Sequence, residues 1–402
     1  MSEENYKAIM LLHALGDTIG FKNGEWEFNY FENDISYKTS LEIVFHFIQL
    51  GGLTMIDLKD WNVSDDTLIH MAVAKTLIEY DKEKDKEKDK EKDKYIDIFK
   101  HNLIDTLKEM ENFEDEDNQD SQDNQDIKEI ISKSKNKFRG VGITTITSVE
   151  NWNDKNKKIT QSEFRKSGGN GVAMRSLCIG AFFNDKTNLD KLIEISINMG
   201  KTTHQNPIGY LGGLTSAYFT HLALNKVDIS EWPFLLMNLV ESDKVLKYIS
   251  QNSHDEIIGY RQFISLWKKY IQIRFKNNKP IFTKLHSNLI FRIKFFKEFT
   301  FDYDEFYSEK NKSDNNYITI GGSGVTSMLM AFDALLDAGD CWEKLIYYSM
   351  LHVGDSDTVG AIAGGLFGAI YGFKNVPEHM LKHIEKKEDL IQFAEKLHKK
   401  TH

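Results

Sequence analysis

His352 to Gly372 reads HVGDSDTVGAIAGGLFGAIYG, and this stretch decides the fold. From Thr358 onward it carries no charge, and glycines stand at 360, 364, 368 and 372. A repeat of four places them on one face of a helix, whereas a strand would repeat every two. Each glycine costs a helix up to about 1 kcal/mol relative to alanine. A helix that keeps four of them implies a second backbone passing very close on that face. The stripe is therefore a packing device, which makes the helix a rigid central base for ligands at its start. The apolar run Thr358 to Phe373 is shorter than the roughly 20 residues of a membrane span and is interrupted by glycine.

The rest of the 402-residue chain follows the same period. Apolar residues recur at three and four over Tyr6–Leu15, Asp66–Tyr80, Val172–Phe183, Leu189–Met199, Ile208–Leu224, Ser327–Ala338, Trp342–Leu351 and Thr358–Tyr371. Only four prolines interrupt the chain. Arg139 to Val149 (RGVGITTITSV) is the one β-like run, and its isolation argues for a loop. No strand–helix alternation occurs, so the expected class is all-α.

The net charge of −10 is uneven: Glu114 to Asp126 holds seven acids and no base, and without it the balance is −3. The acidity thus describes one solvated segment, not the substrate. Asp81 to Lys94 is a DKEK repeat of seven acids and seven lysines, read as a solvated spacer. Between the two, Ile96, Phe99, Leu103, Leu107 and Met110 recur at helical spacing, so residues 81–133 read as an inserted low-complexity segment carrying one docked helix. The expected catalytic unit is then 1–80 with 134–402. Lys268 to Lys297 has nine Lys/Arg and no acid, interleaved with aromatics. Buried aromatics with solvated lysine tips are favoured there over a nucleic-acid surface. Two cysteines, Cys178 and Cys341, exclude a disulfide framework. The acidic N-terminus does not read as a signal peptide. A soluble, cytoplasmic, monomeric protein is expected.

Two helix starts carry paired acids: Ser64-Asp65-Asp66-Thr67 and Gly354-Asp355-Ser356-Asp357-Thr358. Each alone is explained by capping and by the helix dipole. Two such starts can converge, and four carboxylates brought together without cations would repel, which points to hard divalent cations such as Mg²⁺. Gly169-Asn170-Gly171 lies in a glycine-rich loop suited to phosphate, a weak signal by itself. His204 lies in the polar loop Thr202 to Pro207, where a structural hydrogen bond is the plainer reading. Glu25 and Glu27 follow the Gly16-Asp17-Thr18 segment, and one of them could act as a base near the metals.

In this order the pieces resemble the ADP-ribosylglycohydrolase family, in particular its ADP-ribosylarginine hydrolase branch. The matching stretches are LGDTIGFKNGEWEF (15–28), WNVSDDTLIHMA (61–72), GNGVAMRSLCIG (169–180), THQNPIGYLGGLTSA (203–217), AFDALLDAG (331–339) and HVGDSDTVGAIAGGLFGAIYGFKNVP (352–377). The resemblance implies a single orthogonal all-α domain with two Mg²⁺ ions in a cleft. It implies Ser64, Asp65 and Asp66 as one ligand set and Asp355, Asp357 and Thr358 as the other. Glu27 would lie over the metals as a catalytic group with Asp65 and Asp66. Gly169, Asn170 and Gly171 would hold the phosphates, with His204 lining the same pocket. The implied reaction is hydrolysis of the N-glycosidic bond joining ADP-ribose to a protein arginine, with the ADP-ribosylated protein as partner and no nucleic acid or membrane. One departure stands out: arginine-cleaving members resemble Gly-His-Asp where this chain has Gly324-Val325-Thr326. That change keeps two alternatives open: another linkage, such as serine or nucleic acid, and a non-catalytic ADP-ribose-binding protein.

Overall fold

Apolar residues spaced for helices do become helices. The computed structural model describes residues 2–28, 37–84, 94–115, 139–152, 159–251, 253–301 and 320–401. In chain order the helices are α1 (Glu3–Phe21), α2 (Tyr37–Gln49), α3 (Asp65–Lys84), α4 (Lys94–Asp115), α5 (Ile143–Trp152), α6 (Gln161–Lys166), α7 (Leu177–Phe182) and α8 (Leu189–Lys201). They continue with α9 (Pro207–Leu224), α10 (Trp232–Val240), α11 (His254–Arg274), α12 (Leu289–Lys297), α13 (Gly324–Ala338), α14 (Trp342–Ser349), α15 (Ser356–Tyr371) and α16 (Lys387–Thr401). Among the described residues the only sheet is a two-stranded antiparallel ribbon, β1 (Phe275–Lys276) and β2 (Lys279–Pro280). The all-α class is therefore observed. No helix among the described residues is long and apolar enough to cross a membrane.

The centre is built from α1, α9 and α15. Every residue of α9 is buried, as is every residue of α15 from Ser356 to Ala369, and helices apolar all round belong in a core. The glycine stripe of α15 faces α1. A Cβ on Gly360 would stand 2.6 Å from the Gly16 carbonyl oxygen, and one on Gly364 would stand 2.1 Å from that of Leu12. A Cβ on Gly368 would stand 2.5 Å from the carbonyl of Ala8. The partners move backwards along α1 as they move forwards along α15, so the helices are antiparallel with their backbones in contact. Gly20 continues the seam, with Ser356 O 2.2 Å from where its Cβ would be. Gly372 is not part of the stripe: it ends α15 with φ 61°, a left-handed cap that glycine adopts without strain.

Several boundaries differ from the sequence expectation. Ile143–Trp152 is helix α5, so only Arg139–Gly142 of the β-like run is loop. Its β-branched residues have no strand to pair with, and Thr145 and Val149, four apart, are buried instead. The helix expected over Val172–Phe183 is confined to Leu177–Phe182, and the residues before it form turns. α4 is more than a docked appendage: Tyr95, Phe99 and Leu103 are fully buried in the main core. Asn102 binds Thr76 on α3, and Asn198 on α8 binds the Tyr95 hydroxyl. The DKEK repeat over 85–93 and the acid-rich run past 115 lie outside the described residues.

The basic stretch is resolved by burial. Tyr270, Phe275 and Phe296 are in the core. Arg274 and Arg292 are buried as well, holding Asp333 and Asp337 on α13 in four ion pairs of 2.6–2.7 Å. Two of the nine cations are thus internal fasteners, and Lys268, Lys269, Lys276, Lys279, Lys284, Lys294 and Lys297 surround them.

Candidate active site

Helix α1 sets the first acid pair. Asp17, buried near its C-terminal end, accepts from the backbone N–H groups of Ser64 and Thr67 at 3.1 Å and from the Thr67 hydroxyl at 2.5 Å. It therefore caps α3 from another helix. Ser64 Oγ takes the N–H of Asp66 at 3.1 Å, which is the capping role its position suggests. With the cap supplied by Asp17 and Ser64, the carboxylates of Asp65 and Asp66 are released toward the cleft. Arg139 holds the opposite side. Its carbonyl accepts from Asp65 N at 2.8 Å, and its guanidinium pairs with Glu385 and donates to the Val63 carbonyl.

The second pair comes from the start of α15. Asp355 occupies the N-cap position, yet its side chain makes no capping bond. Its carboxylate accepts instead from Asn170 Nδ2 at 2.8 Å, and Asn170 also donates to the Gly321 carbonyl. Plain capping, the simplest reading of this motif, does not account for Asp355. Asp357 accepts from the Thr358 N–H. The Glu27 and Asp355 carboxyls each come within hydrogen-bond reach of Asp357.

Glu27 reaches this point because its neighbours are pinned. Trp26 is buried against His46, Phe47 and Trp61, and Phe28 N donates to the Gly354 carbonyl at 3.0 Å. Phe28 takes φ 45°, a left-handed conformation that a bulky residue adopts only under constraint. Glu25 is exposed and pairs with Lys22, leaving Glu27 as the glutamate of the cleft.

The cleft has a volume of about 300 Å³, and its lining includes Glu27, Asp65, Asp66, Asp355, Asp357 and Thr358 together with Gly169, Asn170, Gly171, His204 and part of the Gly140–Thr145 segment. Every sequence-derived site residue except Ser64 is thus in one lining, and Ser64 lies directly beneath. Val325 and Thr326 are not in it: Val325 is core, and Thr326 closes a capping box with Ser323 at the start of α13.

Among the described residues five carboxyls and no lysine or arginine line this space. Burial, and after it the charge of Asp357, holds the carboxyls of Asp65, Asp66 and Asp355 well above the usual range. The same two causes push Asp17 up to about 7, against the donors that favour its ionised form. Glu27 is pushed up to about 12 by burial and then by Asp357, Asp355 and Asp65. Such a cluster is stable as carboxylates only beside cations. The donor set is oxygen throughout, which suits Mg²⁺ better than zinc. Asp66 Oδ2 is buried with no hydrogen-bond partner among the described residues, a lone pair left for a ligand. Among the described residues no three acids, histidines or cysteines already converge on one point, so the oxygens surround a space rather than a centre. On these observations the residues fit a hard divalent cation.

Two functional supports escaped the sequence reading. Asp17 was legible only as a single charge inside the apolar run LLHALGDTIGF, with nothing to show that it caps a distant helix. Arg139 stood in a run taken for plain loop.

The family profile described as ADP-ribosylglycohydrolase matches residues 2–402. A Dictyostelium discoideum protein named ADP-ribosylhydrolase ARH1 is 32% identical over 99% of this chain and 94% of its own length. A Mus musculus protein named ADP-ribosylhydrolase ARH3 is 25% identical over 66% of this chain and 67% of its own. A solved structure titled ADP-ribosylglycohydrolase-related protein complex matches 100% of this chain and 99% of its own with TM-score 0.52 at 13% identity, a likeness of fold.

Proposed function

The chain belongs to the ADP-ribosylglycohydrolase family, and from that premise we propose that this enzyme removes ADP-ribose from modified protein arginine in a Mg²⁺-dependent reaction. The observation that carries the reading is the convergence of two acid pairs, from α3 and α15, with Glu27 on one cleft. Asp65 and Asp66, with Ser64 beneath, would hold one ion; Asp355, Asp357 and Thr358 would hold the other. Bound Mg²⁺ supplies Lewis acidity and a template for vicinal ribose hydroxyls.

The side chains supply the rest. Without compensating cations Glu27 keeps its proton; once its neighbours' charges are met, its carboxylate can orient an attacking water and accept that proton. The acid-lined wall stabilises the oxocarbenium-like sugar carbon as the bond breaks, and it attracts the substrate's guanidinium, which takes the bonding electron pair and departs as neutral guanidine. Burial first, and the Arg175 charge second, lower His204 to about 3. It is therefore neutral, a hydrogen-bond donor to the ligand and not an acid. The 32% identity to a protein named for ADP-ribose hydrolysis supports the class of substrate. A second reading, cleavage of another linkage, is favoured by Val325 and Thr326, because that turn offers no acid to a guanidinium.

The test is release of ADP-ribose from arginine-, serine- and nucleic-acid-linked substrates, with and without chelator. Chelator-sensitive release from arginine alone is expected, with Asp65→Asn and Asp357→Asn each losing more than about tenfold, roughly 1.4 kcal/mol. Faster cleavage of a serine or nucleic-acid linkage would displace the arginine assignment. A chain that binds ADP-ribose tightly without turnover would displace catalysis.

A further inference from the structure

The cleft poses a charge problem. Under the proposed function a diphosphate sits beside five carboxyls, yet among the described residues no lysine or arginine lines the space. The missing cation lies beneath the glycine loop. Arg175 is fully buried, four residues past Gly171, and has no ion-pair partner among the described residues. Its Nη1 donates to the Gly171 carbonyl at 3.0 Å and its Nη2 to Thr203 Oγ1 at 2.8 Å. The Phe99 ring covers it at 5.0 Å, so α4 seals the guanidinium from solvent. Burial lowers Arg175 to about 9 against the Asp65 charge, which favours its ionised form, and this is still above neutral pH, so the charge persists.

The hydrogen-bond chain continues into the cleft. Arg175 can only donate, so Thr203 Oγ1 accepts from it, and the Thr203 proton is free for His204 Nδ1 at 2.8 Å. With Nδ1 as acceptor, the ring proton sits on Nε2. That edge lies against the loop: a Cβ on Gly171 would stand 3.1 Å from Nε2, and one on Gly169 would stand 3.4 Å away. Gly171 is thereby held to glycine, with His204 Cε1 2.8 Å from where its Cβ would be, while a Cβ on Gly169 would be in ordinary contact.

We infer that Arg175 is the concealed cation of the diphosphate site: it ties down Gly171 and, through Thr203, fixes His204 as an Nε2–H donor on the cleft wall. This rests on the reading that the 169–171 loop receives the diphosphate of ADP-ribose. Arg175 is a positioning residue; it touches the loop and Thr203, not the substrate. An unpaired interior charge costs stability, and here an anion on the far side of one loop would offset it.

The full magnesium-loaded chain is titrated with ADP-ribose by calorimetry, and His204 is observed by ¹⁵N NMR. The wild type is expected to bind and to show the Nε2–H tautomer. Thr203→Val is expected to bind about tenfold more weakly and to lose that tautomer, with KM rising while kcat stays within about twofold. Arg175→Met is expected to lose more affinity, and Arg175→Lys to recover part of it. The inference is overturned by an Nδ1–H wild-type His204, or by folded Thr203→Val and Arg175→Met proteins that bind like the wild type. Should Arg175→Met fail to fold, the tautomer and Thr203→Val still decide. A wild type that does not bind ADP-ribose at all overturns the function proposed above, and this inference with it.

Discussion

Gly364→Ala puts the antiparallel seam to a test in which two effects oppose each other. On an isolated helix the change stabilises by about 1 kcal/mol of propensity, much of it from a less flexible unfolded chain. Here the new methyl would stand 2.1 Å from the Leu12 carbonyl oxygen, where contact begins near 3.4 Å. Both atoms are on helix backbones, so no side chain can rotate away. α1 and α15 must separate by about 1 Å, and overpacking of this kind costs about 1–3 kcal/mol or more. The same shift loosens Gly360 and Gly368, so the higher figure applies, and a net loss of about 2 kcal/mol is expected. Function should suffer beyond stability. α1 carries Asp17, which fixes the first acid pair, and α15 carries the second, about 10 Å from the substitution at 1.5 Å per residue. kcat/KM should therefore fall about tenfold at a temperature where the protein remains folded. Chemical denaturation and initial-rate assays check both parts. A variant as stable as the wild type, or more so, would refute the claim that the backbones touch.

Three further outcomes follow from the same geometry. Metal-free protein should lose stability as pH rises from about 4 through about 7. Asp17, Asp65, Asp66 and Asp355 have folded-state values above their unfolded ones, so the native state binds the extra protons and loses that advantage on ionising. A Tm drop of about 5 °C that Mg²⁺ reverses is expected by calorimetry, and a Tm that rises with pH over this range would contradict it. Asp66→Asn should abolish most Mg²⁺-induced stabilisation while leaving the metal-free protein as stable as the wild type or more so at neutral pH; a scan with and without Mg²⁺ reads both. Arg292→Met should cost about 3 kcal/mol by leaving two buried carboxylates, Asp333 and Asp337, to share Arg274 alone, measured as a lower denaturation midpoint, with equal midpoints counting against the fastener role.

The parts of this molecule legible in the sequence are those with a local signature. The four-residue glycine repeat fixed α15 as a central helix, and the paired acids after a small polar residue marked two helix starts. What remained illegible depends on distant partners. Thr145 and Val149 belong to a helix because other helices, not strands, await them. The turns before α7 exist because Arg175 and Asn170 bind across the loop. Asp17 reads as an oddity inside α1 until α3 is laid beside it. Arg274 and Arg292 look like surface cations until Asp333 and Asp337 are placed opposite.

The two acid pairs also set an order of events in the cell. Ribosomes deliver α1 and α3 well before α15. A nascent chain that has not reached the start of α15 has three of the five cleft carboxyls and lacks the glycine seam against which α1 packs. Assembly of the cleft thus waits for one later step, and any truncation that removes α15 leaves a polypeptide without Asp357 and Thr358 in the cleft wall.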